Sequence, residues 1–480
     1  MSEDKKVHVL MVSMSIQGHI NPMFKFAKHL LSKGVHVTIA TTEDGRHRML
    51  KNTKPSNLTN NTNLNNSDNS NNDSGIELVF FSDGLALDFD RSDTESLVNT
   101  IREKGPQNLS ILVTDLTKVH NYSCVIVNPF VPWAIDVVVE HGIPCALLWI
   151  QACAAYSIYY RYLKNINPFP NMDDLHEKVH LPGLPPFEVR DSPSFILPST
   201  PYHFKTVIKE LFEAMDKVTW VLGTSCYEIE EEIVNSMASL TPIYPVGPLV
   251  SPFLLGEKER SDDVSVDMWV PEDSCIEWLE TMPDSSVIYV SFGSLLSLSQ
   301  KQVENIAVAL KNSNKAFLWV IKPSNGESNY VAELPVEFLE ETKERGLVVK
   351  WCPQEKVLMH PSVACFVTHC GWNSTLETLV TGVPVIAWPF WSDQHTNAML
   401  MEKVFRNGVR VKYGEDRIVE TEEIERCIKD VTEGPRAEEF KKRAMEMKEL
   451  AVKTLQEDGT SNKNLNKFII DLIVGNPARA

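Results

Sequence analysis

Residues 351–394, WCPQEKVLMHPSVACFVTHCGWNSTLETLVTGVPVIAWPFWSDQ, decide the fold. LVVK just before the stretch, ACFVT inside it and VPVIAWP near its end are short apolar runs of strand type. Between the last two lies HCGWNSTLETLVTG. Gly371 breaks the strand, Asn373, Ser374 and Thr375 offer cap-type side chains, and TLETLV has helical spacing that stops at Gly382. In an open α/β sheet, a helix that follows a strand aims its free N–H groups at the crevice beyond the strands' carboxyl ends. Such a place binds anions, and a diphosphate fits it. The flanking residues suit a nucleotide sugar. Trp351 can stack on a base, Glu377 can accept ribose hydroxyls, and Asp393 with Gln394 can hold sugar hydroxyls.

Working outward, the 480 residues are too many for one core and predict two or three domains. Apolar content of 43% and charged content of 23% are those of a globular protein, and the net charge of -18 argues against nucleic acid or anionic membranes as partners. A diphosphate must then be held by local dipoles against the overall field. Nine cysteines, an odd number with no CxxC pair, predict buried thiols in a reducing compartment rather than disulfides or zinc. MSEDKK is no signal-peptide start, and no apolar run reaches the length of a membrane span. A cytoplasmic monomer is expected.

The chain opens with VHVLMV (7–12), SMSIQGH, Asn21-Pro22 as a helix start, an amphipathic helix to Gly34, and the strand VHVTIAT (35–41). This βαβ unit puts Ser13 to His19 on a loop at a strand's carboxyl end. Residues 52–75 are an Asn/Ser-rich insert too poor in apolar groups to order itself. Strands IELVFF, SCVIVNPF, IPCALLWI, WVLGTS and PIYPVGP follow, with a Pro-rich irregular wall at 167–201. Residues 249–270 lose all period and read as a linker. SSVIYVSFGS then starts a second βαβ series, which leads into the quoted stretch. The predicted class is α/β, with two facing Rossmann-like domains: 1–248, then 271–460, and a closing segment 461–480.

The quoted stretch also resembles the signature box of plant secondary-product UDP-glycosyltransferases, through W-x-P-Q at 351–354, H-C-G-W-N-S at 369–374, Glu377, G-V-P at 382–384 and D-Q at 393–394. The resemblance implies the GT-B fold, with the last helix returning to the first domain. It also implies an inverting transfer of glucose from UDP-glucose, a co-substrate, with no cofactor and no metal. Trp351 stacks on uracil in that scheme, with the Cys352 backbone on the base edge. Gln354 and Glu377 take the ribose. His369, Asn373, Ser374 and Ser294 cradle the diphosphate, with Gly18 and Gly371 in the same donor-facing set. Trp372, Asp393 and Gln394 bind the hexose. Hydrogen-bond donors around the diphosphate stabilise charge on the departing UDP.

His19 is the candidate general base, in a G-H-x-x-P setting that the family shares: Gly18, His19 and Pro22. The family's orienting Asp is missing. Asn128 stands in its place, in VIVNPF, and an amide cannot stabilise an imidazolium as a carboxylate does. Asp115 and Asp136 are the substitutes nearest in sequence. A carboxylic acid acceptor is already ionised at neutral pH and needs little help from a base. NPFVPW, ALLWIQACAAYS, EVRDSPSFILP and GPLVSPFLLG resemble the branch that makes glucose esters of aromatic and auxin-type acids. Ile16, Gln17, Phe130, Trp133, Trp149, Gln151 and Tyr156 are expected to line the acceptor pocket, and Arg190 to meet an acceptor carboxylate. Transfer to a phenolic hydroxyl, C-glycosylation, and UDP-sugar binding without turnover remain open.

Overall fold

Short apolar runs become parallel strands throughout the computed structural model, which describes residues 7–52, 75–256, 274–293, 296, 298–321 and 333–475. The insert at 53–74, linker residues 257–270 and Ser294 lie outside the described residues. Strand β1 (His8–Val12) is apolar at nearly every position because helices cover both faces of its sheet, and Val9 to Val12 are wholly buried. Around it run β2 (His36–Thr42), β3 (Glu77–Phe81), β4 (Cys124–Val127) and β5 (Cys145–Trp149). A two-stranded hairpin, β6 (Lys178–Val179) with β7 (Phe187–Glu188), stands apart, and β8 (Trp220–Gly223) and β9 (Tyr244–Pro245) finish the first sheet. Its order is β3-β2-β1-β4-β5-β8-β9.

The second sheet comprises β10 (Val287–Ser291), β11 (Ala316–Val320), β12 (Gly346–Val349), β13 (Val363–Thr368), β14 (Val385–Ala387) and β15 (Gly408–Arg410), in the order β12-β11-β10-β13-β14-β15. Both sheets are parallel; Val9 faces Val37 and Cys124, and Val290 faces Trp319 and Val367. In each, the winding reverses next to the opening strand, between β1 and β4 and between β10 and β13. A crevice opens there because the two crossover chains leave in opposite directions. The residues after those four strands therefore head the site.

Two local expectations change, and one long helix was not anticipated. The first helix is Gln17–Ser32, so His19 sits in its first turn rather than on a loop, and Pro22 lies inside the helix. The unanticipated helix, Thr94–Leu116, runs straight through Gly105-Pro106. Asp93 caps it by accepting from the Ser96 N–H, and Gly105 admits the Trp133 indole, whose ring would lie 2.6 Å from a Cβ there. The Pro-rich wall carries the β6–β7 hairpin and two short 3-10 turns, Val189–Asp191 and Ser194–Ile196. The last helix, Thr460–Val474, lays Leu465, Phe468 and Leu472 into the core of the first sheet, and the Trp220 indole donates to Asp471 at 3.3 Å. All nine cysteines are buried and free. Among the described residues no helix is long and apolar enough to cross a membrane.

Candidate active site

The helix Trp372–Thr381 begins at Gly371 with no side-chain cap. The three expected cap residues turn elsewhere. Asn373 donates to the Gly18 carbonyl at 3.3 Å, Ser374 Oγ accepts from Gln354 at 2.9 Å, and Thr375 Oγ1 donates back to the Gly371 carbonyl at 3.1 Å. The first-turn N–H groups and the positive end of the dipole are thus left to the cleft, as an anion site requires. The His369 ring is pressed between two glycines. A Cβ on Gly293 or Gly371 would come within 2.6 or 2.5 Å of it, so both positions exclude side chains.

Gln354 and Glu377 meet one turn further in. Gln354 donates to Glu377 at 2.6 Å and accepts from the Tyr289 hydroxyl at 3.1 Å. Lys25, from the first helix, reaches across to Glu355 at 3.2 Å and Glu377 at 3.6 Å. Burial raises the Glu377 pKa, and Lys25 is the main force against it. Burial opposes the charge on Lys25 in turn, but Glu377 and Glu355 prevail and raise its pKa. Beyond β14, Asp393 is buried and accepts from Asn397 at 2.8 Å, and burial pushes its pKa up to about 6. Gln394 turns its carbonyl onto the N–H groups of Phe390 and Trp391, at 2.9 and 3.2 Å, which leaves its NH2 to donate. Trp351 is half-buried at the end of β12, and the buried Cys352 thiol meets the Tyr289 hydroxyl at 3.3 Å.

The opposite face is built on β1 and β4. Pro22 has no N–H, so the Gly18 carbonyl one turn earlier has no helical partner, and Asn373 of the second sheet's helix fills that vacancy. Two helix N-termini are thereby tied together across the cleft. His19 is half-buried against Phe130, ring centroids 4.4 Å apart. Its Nδ1 is buried with no hydrogen-bond partner among the described residues. Burial lowers its pKa to about 4, and the Asn128 side chain acts in the other direction. Asn128 is wholly buried. It donates to the His19 carbonyl at 3.4 Å and accepts from the Phe130 N–H at 3.0 Å.

Comparison with known proteins supplies the family. The family model for UDP-glucoronosyl and UDP-glucosyl transferases matches residues 271–454. UDP-glycosyltransferase 84B1 of Arabidopsis thaliana is 47% identical over 98% of this chain and 99% of its own. The chain belongs to the plant UDP-glycosyltransferase family. Gallate 1-beta-glucosyltransferase of Quercus robur is 38% identical, over 98% of this chain and 90% of that one. The crystal structure of Os79 from O. sativa, in complex with U2F and trichothecene, superposes with a TM-score of 0.81 at 29% identity, covering 97% of this chain and all of that one. The two sheets are those of the GT-B fold, and the chain is a UDP-glucosyltransferase.

Several expected residues of this glycosyltransferase fall elsewhere. Trp149 and Tyr156 are wholly buried and pack edge to face at 5.4 Å in the first domain's core; the Trp149 indole is already spent on the Ala152 carbonyl at 2.8 Å. Both belong to the core cluster of the first domain, Trp149 from the end of β5 and Tyr156 from the helix Cys153–Leu163. Trp133 lies against Gly105 and Phe81. The Trp372 ring, 4% exposed, also belongs to the core, and only its backbone remains at the helix start. Arg190 is half-exposed and paired with Glu188 at 2.7 Å rather than turned to the cleft. Asp115 and Asp136 are surface residues paired with Lys118 and Lys217, so neither stands behind His19.

Ile16, Gln17, Phe130 and Gln151 do border the cleft. The carbonyl oxygens of the Gln17 and Gln151 side chains are buried with no partner among the described residues, and the Gln151 NH2 donates to Ser392 Oγ at 3.3 Å. An aromatic wall completes this side: Phe130 against Phe195 at 6.1 Å, Phe195 stacked on Phe204 at 5.3 Å, and both against Trp391. Lys25, Asp191, Ser194, Phe195, Phe204 and Trp391 were not picked out from sequence. The turns that place Asp191, Ser194 and Phe195 have no period to read.

Proposed function

We propose that this enzyme transfers glucose from UDP-glucose to the carboxylate of a small aromatic or indolic acid, giving a 1-O-glucose ester with inversion at C1. The observation that carries this reading is Asn128. Behind the His19 imidazole lies an amide already committed to two backbone groups, and the imidazole pKa is depressed to about 4. A base that weak is poorly matched to a phenol, whose pKa lies near 10. A carboxylate arrives ionised. Its oxygen attacks C1, the C1–O bond to UDP breaks, and the electron pair leaves on the diphosphate, with no proton to remove. The name of the Quercus robur relative, a gallate 1-beta-glucosyltransferase, supports the same acceptor chemistry.

In this reading Trp351 stacks on uracil, the Cys352 backbone meets its edge, and Gln354 and Glu377 hold the ribose. The diphosphate lies over the N–H groups of Trp372, Asn373 and Ser374 beside His369, where fixed donors stabilise the charge that develops on UDP. Asp393 and the Gln394 NH2 take the hexose hydroxyls. The aromatic wall of Phe130, Phe195 and Trp391 receives a flat acceptor. The test is a panel of benzoic, cinnamic and indole-3-acetic acids against flavonols, followed by initial rates and by treating the products with mild base. Faster reaction of the acids, to base-labile products, is expected. Reaction of the phenols alone would overturn the reading.

A further inference from the structure

The turn that presents Asp393 and Gln394 is held from the other half of the molecule. Ser392 sits at φ 57, in the left-handed region, which is unfavourable for a residue with a Cβ unless its surroundings impose it. What imposes it is a short piece of the first domain's Pro-rich wall. The Ser194 N–H donates to the Ser392 carbonyl at 2.7 Å, and the Ser392 N–H donates to Ser194 Oγ at 2.7 Å. Thr396 Oγ1 donates to the Asp191 carbonyl at 2.8 Å. Charge fixes the same piece: the Asp191 carboxylate, almost wholly buried, pairs with Arg410 of β15 and lies 3.4 Å from Lys403. It also accepts from the Glu188 N–H at 3.2 Å.

We propose that Asp191 and Ser194 are positioning residues for the sugar: they hold Ser392, and through it Asp393 and Gln394, where the transferred hexose is received. The inference rests on the reading of Asp393 and Gln394 as hexose ligands. Neither domain then owns a complete hexose site; docking of segment 191–194 onto the turn finishes it. Phe195, the next residue, belongs to the acceptor wall, so one short segment touches both the acceptor wall and the hexose turn.

UDP lacks the hexose and therefore separates positioning from general damage. Ser194→Ala, Ser194→Thr and Asp191→Asn are compared with the unaltered enzyme for UDP affinity by calorimetry and for kcat and KM with UDP-glucose. The expected result is UDP affinity unchanged within about twofold, with kcat reduced about tenfold or more in Asp191→Asn and severalfold in Ser194→Ala, because small misplacements of a reacting group are costly. Ser194→Thr, which keeps the hydroxyl, restores turnover. Parallel losses in UDP affinity and turnover, or no loss in either variant, would overturn the proposal. If Asp191→Asn fails to fold, the Ser194 pair decides. Asp393→Ala is run alongside. If it leaves catalysis with UDP-glucose intact, the hexose reading itself fails; if it is severe while the Ser194 and Asp191 variants are silent, only the positioning role fails.

Discussion

On the second sheet's side of the cleft, Trp351, Gln354, His369, Glu377, Asp393 and Gln394 all come from one run of 44 residues, ordered along β12 to β14 and the helix between β13 and β14. On the first sheet's side, Ile16, His19, Asn128, Gln151 and Phe195 come from four separate connections. The donor side is built from backbone: an uncapped helix start, two glycines against a histidine ring, and carboxylates placed by helix spacing. The acceptor side is built from side chains whose neighbours are set by tertiary packing. A diphosphate and a ribose never change, so a fixed backbone frame suits them. An acceptor is chosen by pocket walls, which loops can alter without disturbing the sheet.

The strongest way to break this contrast is to remove His19, the group to which the proposed reading gives a chemical task. His19→Ala is expected to lower turnover on phenols by about 10²–10⁴-fold, the range of a lost general base, and turnover on carboxylates much less. Parallel initial rates on one acid and one phenol measure it. Equal losses would mean that carboxylate acceptors do not spare the base.

Next in size is the place where the two sides touch. Lys25→Met leaves Glu377 and Glu355 together without their cation. Burial already raises the Glu377 pKa, so loss of Lys25 moves it further toward neutrality, and a protonated Glu377 is a poorer acceptor for ribose hydroxyls. KM for UDP-glucose should rise about tenfold, on the scale of one charge-assisted hydrogen bond. Lys25→Arg keeps the charge and should keep most of the affinity. A KM left unchanged in Lys25→Met would separate Glu377 from the ribose.

A smaller effect sharpens the hexose end. Asp393 has a pKa of about 6, so it is a carboxylate at pH 7 and takes up a proton as pH falls. KM for UDP-glucose should rise severalfold from pH 7 to pH 5, about as expected for losing one acceptor. Asp393→Asn should raise KM at pH 7 and flatten the profile. The stability term has the opposite sign. A carboxyl whose pKa is raised on folding binds protons more tightly when folded, so this group's contribution to stability increases as pH drops through 6 toward its unfolded value. Weakened donor binding below pH 6 would therefore not be unfolding driven by Asp393.

The same contrast explains what could be read from the chain. Both parallel sheets follow from apolar runs bounded by glycine and helix signals, and the helix at Trp372 was visible from Gly371 and Gly382. The helix over Thr94–Leu116 was not anticipated; a Gly-Pro pair is ordinarily a turn signal, whereas in the fold Gly105 makes room for Trp133. Trp149 and Tyr156 misled in the other direction. An aromatic at a strand end or on a helix looks alike in sequence whether it lines a pocket or fills a core, and here the core took both. Asp191 and Ser194 lie in the EVRDSPSFILP run that carries part of the resemblance, but nothing in that run marked them as site residues, because their partners lie some two hundred residues away on the other sheet.

The smallest expected effect bears on Asn128, the amide behind His19. Asn128 accepts from the Phe130 N–H and lies behind the first helix, so an Asp there can keep the Phe130 bond through one oxygen. The other oxygen would face the His19 carbonyl, where the amide now donates, and that repulsion limits the gain. It would also stabilise the imidazolium and lift the His19 pKa from about 4 toward its ordinary value, where a base is most useful near neutral pH. Asn128→Asp should thus raise the rate on phenols relative to acids by a few-fold, about 1 kcal/mol in the transition state, while KM for UDP-glucose stays put. The ratio of kcat/KM on a matched phenol and acid measures it. A ratio that does not move would show that the character of the base does not set the acceptor, and would shift that choice to the walls formed by Phe130, Phe195 and Trp391.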